Sequence, residues 1–329
     1  MEANAPLVSV VTPVHNGARY LAECVESVLS QTYRNWEYLI VDNRSTDGTR
    51  EIAQRYAGTD ARVRFEAYDE FVDVIPSHNR ALRLISPVSK YCKVVSADDW
   101  LYPECLARMV EAAEANPSAG FVGAYQLSGG ADRWEVRWAG LPAQCSMISG
   151  REICRTTLLG GPYVFGTPTS TLYRSDLVRS REAFYPSLVP YADVSAYYEY
   201  LGHSDYAFVH QVLSYERVHE QTLSTAHKRV NTQVSDILRD LLEYGPVYLT
   251  EQEYGGRLED LLRNYYRVLA AGIMSFKRRD FWGYQKKALK ELGYPLYSPR
   301  LAKALGLKAL DLVLNPKQTI EKLFRRMRG

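Results

Sequence analysis

Between residues 7 and 127 the chain alternates short β-branched runs with stretches of helical periodicity, and that alternation leaves few folds open. Leu7 to Val14 is an apolar run closed by Pro13, the pattern of a strand buried on both faces. After the turn His15-Asn16-Gly17, the residues Leu21, Val25, Val28 and Leu29 recur at helical spacing over 18–30. Tyr38 to Val41 reads as a second strand ending at Asp42, and Thr49 to Tyr56 as a second helix. A strand at 62–67, a helix at 77–86 and a strand from Tyr91 to Ser96 follow. Pro103 then opens a helix that Asn116-Pro117 closes, and 119–127 is a fifth strand. Repeated β-α order predicts an α/β layer with a mostly parallel sheet, whose ligands sit at the carboxyl ends of the strands. Three polar loops fall at those ends: His15-Asn16, Asp42 to Asp47, and Asp98-Asp99.

Two adjacent carboxylates at a strand end are a poor fold element, because Asp is depleted in strands and like charges repel. They suit a hard divalent cation that in turn holds phosphates. No GxGxxG or GxxxxGK[ST] cradle is present to hold phosphates instead. The loop Ser45-Thr46-Asp47-Gly48 reads equally well as a plain helix cap.

Composition narrows the class. A net charge of +2 gives no argument for nucleic acid as a partner. The five cysteines (Cys24, Cys92, Cys105, Cys145, Cys154) have no metal spacing and read as reduced thiols. The 25 tyrosines imply either aromatic core packing or a surface that stacks on sugar-like ligands. No run approaches the ~18 apolar residues of a membrane span, and no signal peptide is visible at the start. The expected location is therefore the cytoplasm, or the inner face of a membrane as a peripheral protein.

From 128 to 228 the pattern loosens. Short strands are expected at Thr171-Leu172-Tyr173 and Val209 to Tyr215, with a helix at 194–201. Beyond 229 the chain reads as helical, at 231–244, 251–274, 280–291 and 300–312. Residues 300–329 carry eight Lys/Arg against two Asp/Glu. Such a basic amphipathic tail would contact an anionic inner-membrane surface, or pack on the catalytic domain or a second copy in a homo-oligomer.

The stretch Val8 to Gly17, the loop Val41 to Thr49 and the block Ser96-Ala97-Asp98-Asp99-Trp100, in that order and spacing, resemble the family 2 glycosyltransferases. The resemblance covers 7–125 well and 150–225 moderately, and does not reach the last hundred residues. It implies a GT-A fold over 1–228, with a nucleotide-sugar half to about 127, an acceptor half from 128, and a separate helical region from 229. It also implies inverting transfer from a nucleoside-diphosphate-sugar to a glycan or lipid-linked hydroxyl, in cell-surface polysaccharide synthesis.

Carried over position by position, the resemblance places Thr12, Pro13 and His15 at the nucleoside, with Asp42 on the base and Asp47 beside it. Asn79 would lie near the diphosphate, and Lys93 would meet the donor unless it only snorkels to the surface. Asp99 would bind Mn²⁺ or Mg²⁺, Asp98 would contact the donor's sugars, and His219 would complete the metal shell. Arg217 would neutralise the leaving group. Asp193 would be the base that takes the acceptor proton, its alternative being a helix cap, and Glu199 the second choice. The chain departs from the family at Ala192, where Glu is common, and at Ala97, where a DxD triplet would begin. Those departures leave room for a catalytically inactive nucleotide-sugar-binding protein. A nucleotidyltransferase is disfavoured, because His15-Asn16-Gly17-Ala18-Arg19 offers one Gly and one Arg where a Gly-rich basic loop is needed.

Overall fold

The structure, a computed structural model, describes residues 5–130, 133–186, 192–219 and 230–314, without the side chains of Leu312 and Val313. By contacts the chain divides into two compact units, Met1–His219 and Glu220–Gly329. The expected boundary at 228/229 falls just outside the described residues.

In the first unit the alternating segments become β1 (Val8–Val14), α1 (Leu21–Leu29), β2 (Trp36–Asn43), α2 (Thr49–Thr59), β3 (Val63–Tyr68), α3 (Val74–Leu82) and β4 (Tyr91–Val94). β5 (Trp100–Leu101), α4 (Cys105–Ala115), β6 (Ala119–Gly129), β7 (Trp134–Arg137), β8 (Met147–Ile148) and α5 (Gly150–Leu158) follow. A 3-10 turn at Pro168–Ser170 leads into β9 (Thr171–Arg174), α6 (Ser175–Arg179), α7 (Ala192–Tyr200) and β10 (Asp205–Arg217). Among the described residues, ten strands form one sheet in the order β3-β2-β1-β4-β9-β6-β10-β5, with β7 on β6 and β8 on β10.

Every residue of β1 is buried, as its unbroken apolar run requires. β1 pairs in parallel with β2 and β4, and β2 with β3. β9, inside the sheet, runs antiparallel to both β4 and β6, and the short β5, β7 and β8 also pair antiparallel. Two reversals restore the original direction, so β6 and β10, parallel to each other, end at the same edge as β1 to β4. That edge gathers His15, Asn43 to Ser45, Asp98-Asp99, Gly129 and Arg217 to His219.

One face of the sheet is closed by Leu21, Val25 and Val28 of α1 with Leu106 and Met109 of α4, packed on Val8, Val10 and Val122. The other face is aromatic. Tyr197 of α7 stacks on Phe165 with centroids 5.1 Å apart, and Phe121 meets the edges of Tyr173 and Tyr197. Tyr38, Tyr173, Tyr197 and Tyr206 are fully buried, so for these four the tyrosine excess is core packing. Cys24, Cys92, Cys105 and Cys154 are buried free thiols, and Cys145 is free and partly exposed.

The second unit contains α8 (Gln233–Tyr248), α9 (Glu251–Met274), α10 (Arg279–Glu291) and α11 (Pro299–Leu314). α9 opens with a capping box: Thr250 Oγ1 accepts from Glu253 N at 3.3 Å, and Glu253 Oε2 accepts from Thr250 N at 3.0 Å. Leu241, Leu262, Tyr265, Leu269, Phe281 and Leu289 fill its interior, where Tyr265 donates to Gln285 Oε1 at 2.7 Å. No helix of the described residues is long and apolar enough to cross a membrane. The basic segment 316–329 lies outside the described residues.

Candidate active site

The loops after β1 and β2 brace each other. His15 Nδ1 lies 2.9 Å from the Asn43 carbonyl, and Asn16 Oδ1 accepts from Thr46 N at 2.8 Å. Asn16 and Arg44 both sit in the left-handed region, at φ 52° and 61°. Asn tolerates that region well; for Arg44 the surrounding hydrogen bonds must supply the stabilisation. Asp42 is fully buried and accepts from Ser45 N and from Arg50 Nε at 2.7 Å. Asp47 accepts from Ala18 N at 3.1 Å and from the Thr49 hydroxyl and amide. Desolvation opposes its charge, but these bonds outweigh it and lower its carboxyl. Both aspartates therefore set the shape of the loop, Asp42 buried within it and Asp47 exposed at its surface.

The adjacent pair Asp98-Asp99 splits sharply. Asp99 is buried; its Oδ2 accepts from Thr169 Oγ1 at 2.7 Å and its Oδ1 from Arg217 N at 3.0 Å. Burial first, then the neighbouring Asp98 charge, pushes its carboxyl well above the ordinary range. Asp98 is partly exposed, and its Oδ2 lies 3.1 Å from His219 Nε2. Asp99 ties the β4–β5 loop to the 168–170 turn and the end of β10, while Asp98 pairs with His219 and is partly exposed. A carboxylate and an imidazole on partly exposed loops fit an open shell that phosphate oxygens and water complete. No group of three or more His, Cys, Asp or Glu among the described residues would enclose a cation alone.

Arg217 is held rather than free. Its Nε donates to the Asp98 carbonyl at 3.1 Å, its Nη2 to Glu23, and its guanidinium lies 4.4 Å from the Tyr20 ring and 5.1 Å from the Trp100 ring. Tyr20 also packs on His219, with centroids 5.5 Å apart. A phosphate would reach this cation only by competing with Glu23.

Asp193 occupies the first turn of α7, where backbone amides and the helix dipole favour a carboxylate. Burial dominates nonetheless and raises it to about 6, against hydrogen bonds from the Val194 and Asp193 amides. Its charge adds to burial in raising the hydroxyls of Tyr163, Tyr173, Tyr185 and Tyr197. Glu199, the second choice, is engaged by Arg181.

The profile described as "Glycosyl transferase family 2" matches residues 9–180, just over half of the chain. The chain belongs to glycosyl transferase family 2. Among curated relatives, TuaG of Bacillus subtilis, provisionally named a teichuronic acid biosynthesis glycosyltransferase, is 37% identical over 106 residues, which is 32% of this chain and 41% of TuaG. The chain spans between 30% and 56% of the length of the first curated relatives it matches. Among solved structures, S. aureus TarS 1-349 in complex with UDP-GlcNAc superposes with a TM-score of 0.62 at 16% identity, covering 87% of this chain and 80% of that one. The mannosyltransferase PcManGT from Pyrobaculum calidifontis, in complex with GDP-Man and Mn²⁺, gives 0.55 at 16% identity over 94% and 88%. These likenesses show a GT-A fold.

In this family 2 chain four of the residues expected at the donor make contacts within the scaffold. The Thr12 hydroxyl faces the core, 2.9 Å from Tyr38 Oη, while Pro13 is buried within β1. Asn79 is a two-way latch: its Nδ2 donates to the Tyr185 carbonyl and its Oδ1 accepts from Tyr185 N, both at 2.8 Å. Lys93 does not snorkel. It is fully buried and donates to the carbonyls of Thr169 and, at 3.1 Å, Thr171. Burial lowers its amine to about 8.

The 163–171 segment matters more than its sequence suggested. Gly166, at φ 85°, takes a conformation open to glycine, and a Cβ there would meet Ser170 Oγ at 2.2 Å. The following capping box, with Thr167 N donating to Ser170 Oγ at 2.9 Å, fixes the turn that presents Thr169 to Asp99. The sequence signal was the run Gly166-Thr167-Pro168-Thr169-Ser170-Thr171 itself, which equally suits a strand entry. Tyr20 gave no signal at all, and Trp100 entered only as the last residue of the Ser96–Trp100 block.

Proposed function

We propose that this chain is an inverting glycosyltransferase that moves a sugar from a nucleoside-diphosphate-sugar to a hydroxyl acceptor of a cell-surface glycan. The observation that carries the reading is the segment from Tyr163 to Thr171. Thr169 bonds Asp99 beside the partly exposed Asp98–His219 pair, and Tyr163 lies within the field of Asp193. One short stretch thus links a site for a leaving diphosphate to a carboxylate suited to accept a proton.

The braced loops after β1 and β2 would bind the nucleoside through backbone groups and the ring of His15, which packs against Phe71 at 4.8 Å. Asp98 and His219 would hold a divalent cation, and the imidazole favours Mn²⁺ over Mg²⁺. Such an ion supplies charge neutralisation on the departing diphosphate. Asp193 takes the acceptor's hydroxyl proton as the acceptor oxygen bonds to the anomeric carbon, and the bond from that carbon to the diphosphate oxygen breaks. Attack from the face opposite the diphosphate inverts the configuration. Residues 1–127 would serve the nucleotide end of the donor, and 128–228 would complete the site around the transferred sugar and face the acceptor.

Supporting the donor class are TarS, solved with UDP-GlcNAc, and PcManGT, solved with GDP-Man and Mn²⁺. Supporting the acceptor class is the naming of TuaG for teichuronic acid. A cytoplasmic place at the inner membrane face, with a lipid-linked or polymer acceptor, follows from that acceptor class. The deciding experiment incubates the protein with a panel of nucleotide-sugars and Mn²⁺ and follows nucleoside diphosphate release. Release from one or a few donors, lost in Asp193→Asn, is expected. No binding of any nucleoside diphosphate would refute the reading.

A further inference from the structure

Three shielded polar atoms on one patch of the sheet have no hydrogen-bond partner. In the register of β6 and β10, Gln126 pairs with Ser214 and Ser128 with Glu216, so these four side chains leave the same face. Gln126 and Ser214 are fully buried. Gln126 Oε1 accepts from Trp138 Nε1 at 3.0 Å and from Thr167 Oγ1 at 3.1 Å, but Gln126 Nε2 has no partner. Ser214 Oγ and Glu216 Oε2 have none either. Each orphaned group costs about 1–3 kcal/mol, and folded proteins keep few of them. An amide donor, a hydroxyl and a carboxylate acceptor side by side match the alternating donors and acceptors of a pyranose's hydroxyl groups.

The patch also lies where a transferred sugar belongs. Glu216 immediately precedes Arg217, which bonds both Asp99 and the Asp98 carbonyl, and the Glu216 charge reaches Asp99. On its other side Trp138 meets the edge of Tyr163 at 5.4 Å, and Tyr163 neighbours Asp193. The reacting carbon has to sit between the leaving group and the base, which is the span this patch covers.

Trp138 covers Gln126 with an unfavourable backbone. It stands at φ 68°, a region bulky residues avoid at a cost of about 1–3 kcal/mol. Its indole donates to Gln126, and Arg137 lies 4.8 Å over its ring. Swinging the indole aside frees Gln126 Oε1 as a further acceptor. Strain of this kind collects at ligand clamps.

We propose that Gln126, Ser214 and Glu216 form the pocket that reads the hydroxyl groups of the transferred sugar, with Trp138 as its movable cover. The assignment rests on the glycosyl-transfer reading above and adds which residues set sugar selectivity.

The test uses the full chain with Mn²⁺, comparing wild type with Glu216→Gln, Ser214→Ala and Trp138→Phe. Nucleoside diphosphate affinity is measured by calorimetry, and donor KM and selectivity between epimeric nucleotide-sugars by product release. Glu216→Gln and Ser214→Ala are expected to raise donor KM about ten-fold or more, or to reorder epimer preference, as loss of one hydrogen bond to the sugar would. Nucleoside diphosphate affinity should stay within about two-fold, since no contact to that half is removed. Ser214→Ala removes an orphaned hydroxyl, so its melting temperature should hold or rise, which separates lost recognition from lost folding. Unchanged donor KM and selectivity in all three variants would overturn the proposal and leave the three atoms satisfied by ordered water only. Failure of the wild type to bind any nucleoside diphosphate would overturn the glycosyl-transfer reading itself.

Discussion

The Thr169 hydroxyl donates to Asp99 Oδ2 at 2.7 Å across 70 residues of sequence. Through that bond the loop carrying Asp98 and the turn at 168–170 share one anchor. Removing the donor leaves a buried carboxylate short of a partner, at a cost of about 1–3 kcal/mol or more. Thr169→Val, nearly isosteric, should lower the melting temperature by several degrees and cut turnover. Thr169→Ser should restore both. Thermal unfolding and initial rates check this.

The proposed pairing of Asp98 with His219 around a cation has a direct consequence. Asp98→Ala should abolish the stabilisation that Mn²⁺ adds to nucleoside diphosphate binding while leaving the apo melting temperature close to wild type. Asp99→Asn should do the reverse, melting earlier but still responding to the metal. A thermal-shift titration with and without Mn²⁺ reads both. A chelator should remove wild-type turnover and added Mn²⁺ restore it.

Asp193 should govern the chemical step. Asp193→Asn keeps the shape and removes the base, so kcat should fall about 10²- to 10⁴-fold with donor affinity little changed. Equal losses in donor affinity and kcat would place this residue in binding instead.

The pH profile should follow the same carboxyl. A base works when ionised, so kcat/KM should rise with pH through about 6 and fall roughly ten-fold per unit below it. The stability linkage runs the other way. The folded state raises this pKa above the unfolded value of about 3.9, so it contributes stability fully below that value and loses it as pH rises through about 6. Asp193→Asn should flatten the kinetic limb and remove that part of the stability slope.

Much of the fold was legible because one physical rule wrote it. The runs at Val8–Val14 and Trp36–Asn43 are apolar on both faces because helices cover both, and Leu21, Val25 and Val28 mark the face α1 buries. β9 was read as a strand, yet four residues, Thr171–Arg174, cannot reveal that they run antiparallel between β4 and β6. The carboxylates were visible as a pair, but the turn closed by Asp99 N donating to the Ser96 carbonyl sends them into different surroundings. Which one is buried depends on Thr169, seventy positions away. Lys93 misled for a related reason: a lysine in a strand ordinarily reaches solvent, and only the carbonyls of Thr169 and Thr171 explain why this one stays inside. The Ser45–Gly48 run suits plain loop chemistry, and Asp47 accepts hydrogen bonds from Ala18 and Thr49 within that loop.

The reversed strand β9 also limits how such a chain can be recombined. Its four residues arrive late in the sequence but sit between β4 and β6 in space. A fragment ending near residue 127 would expose two strand edges in the middle of its sheet, where other chains could add and aggregate. The segments before and after residue 127 therefore cannot be traded by cutting the chain between them. Variation in what is joined to what has to enter through the loops at the carboxyl edge, with Thr171–Arg174 passed on intact.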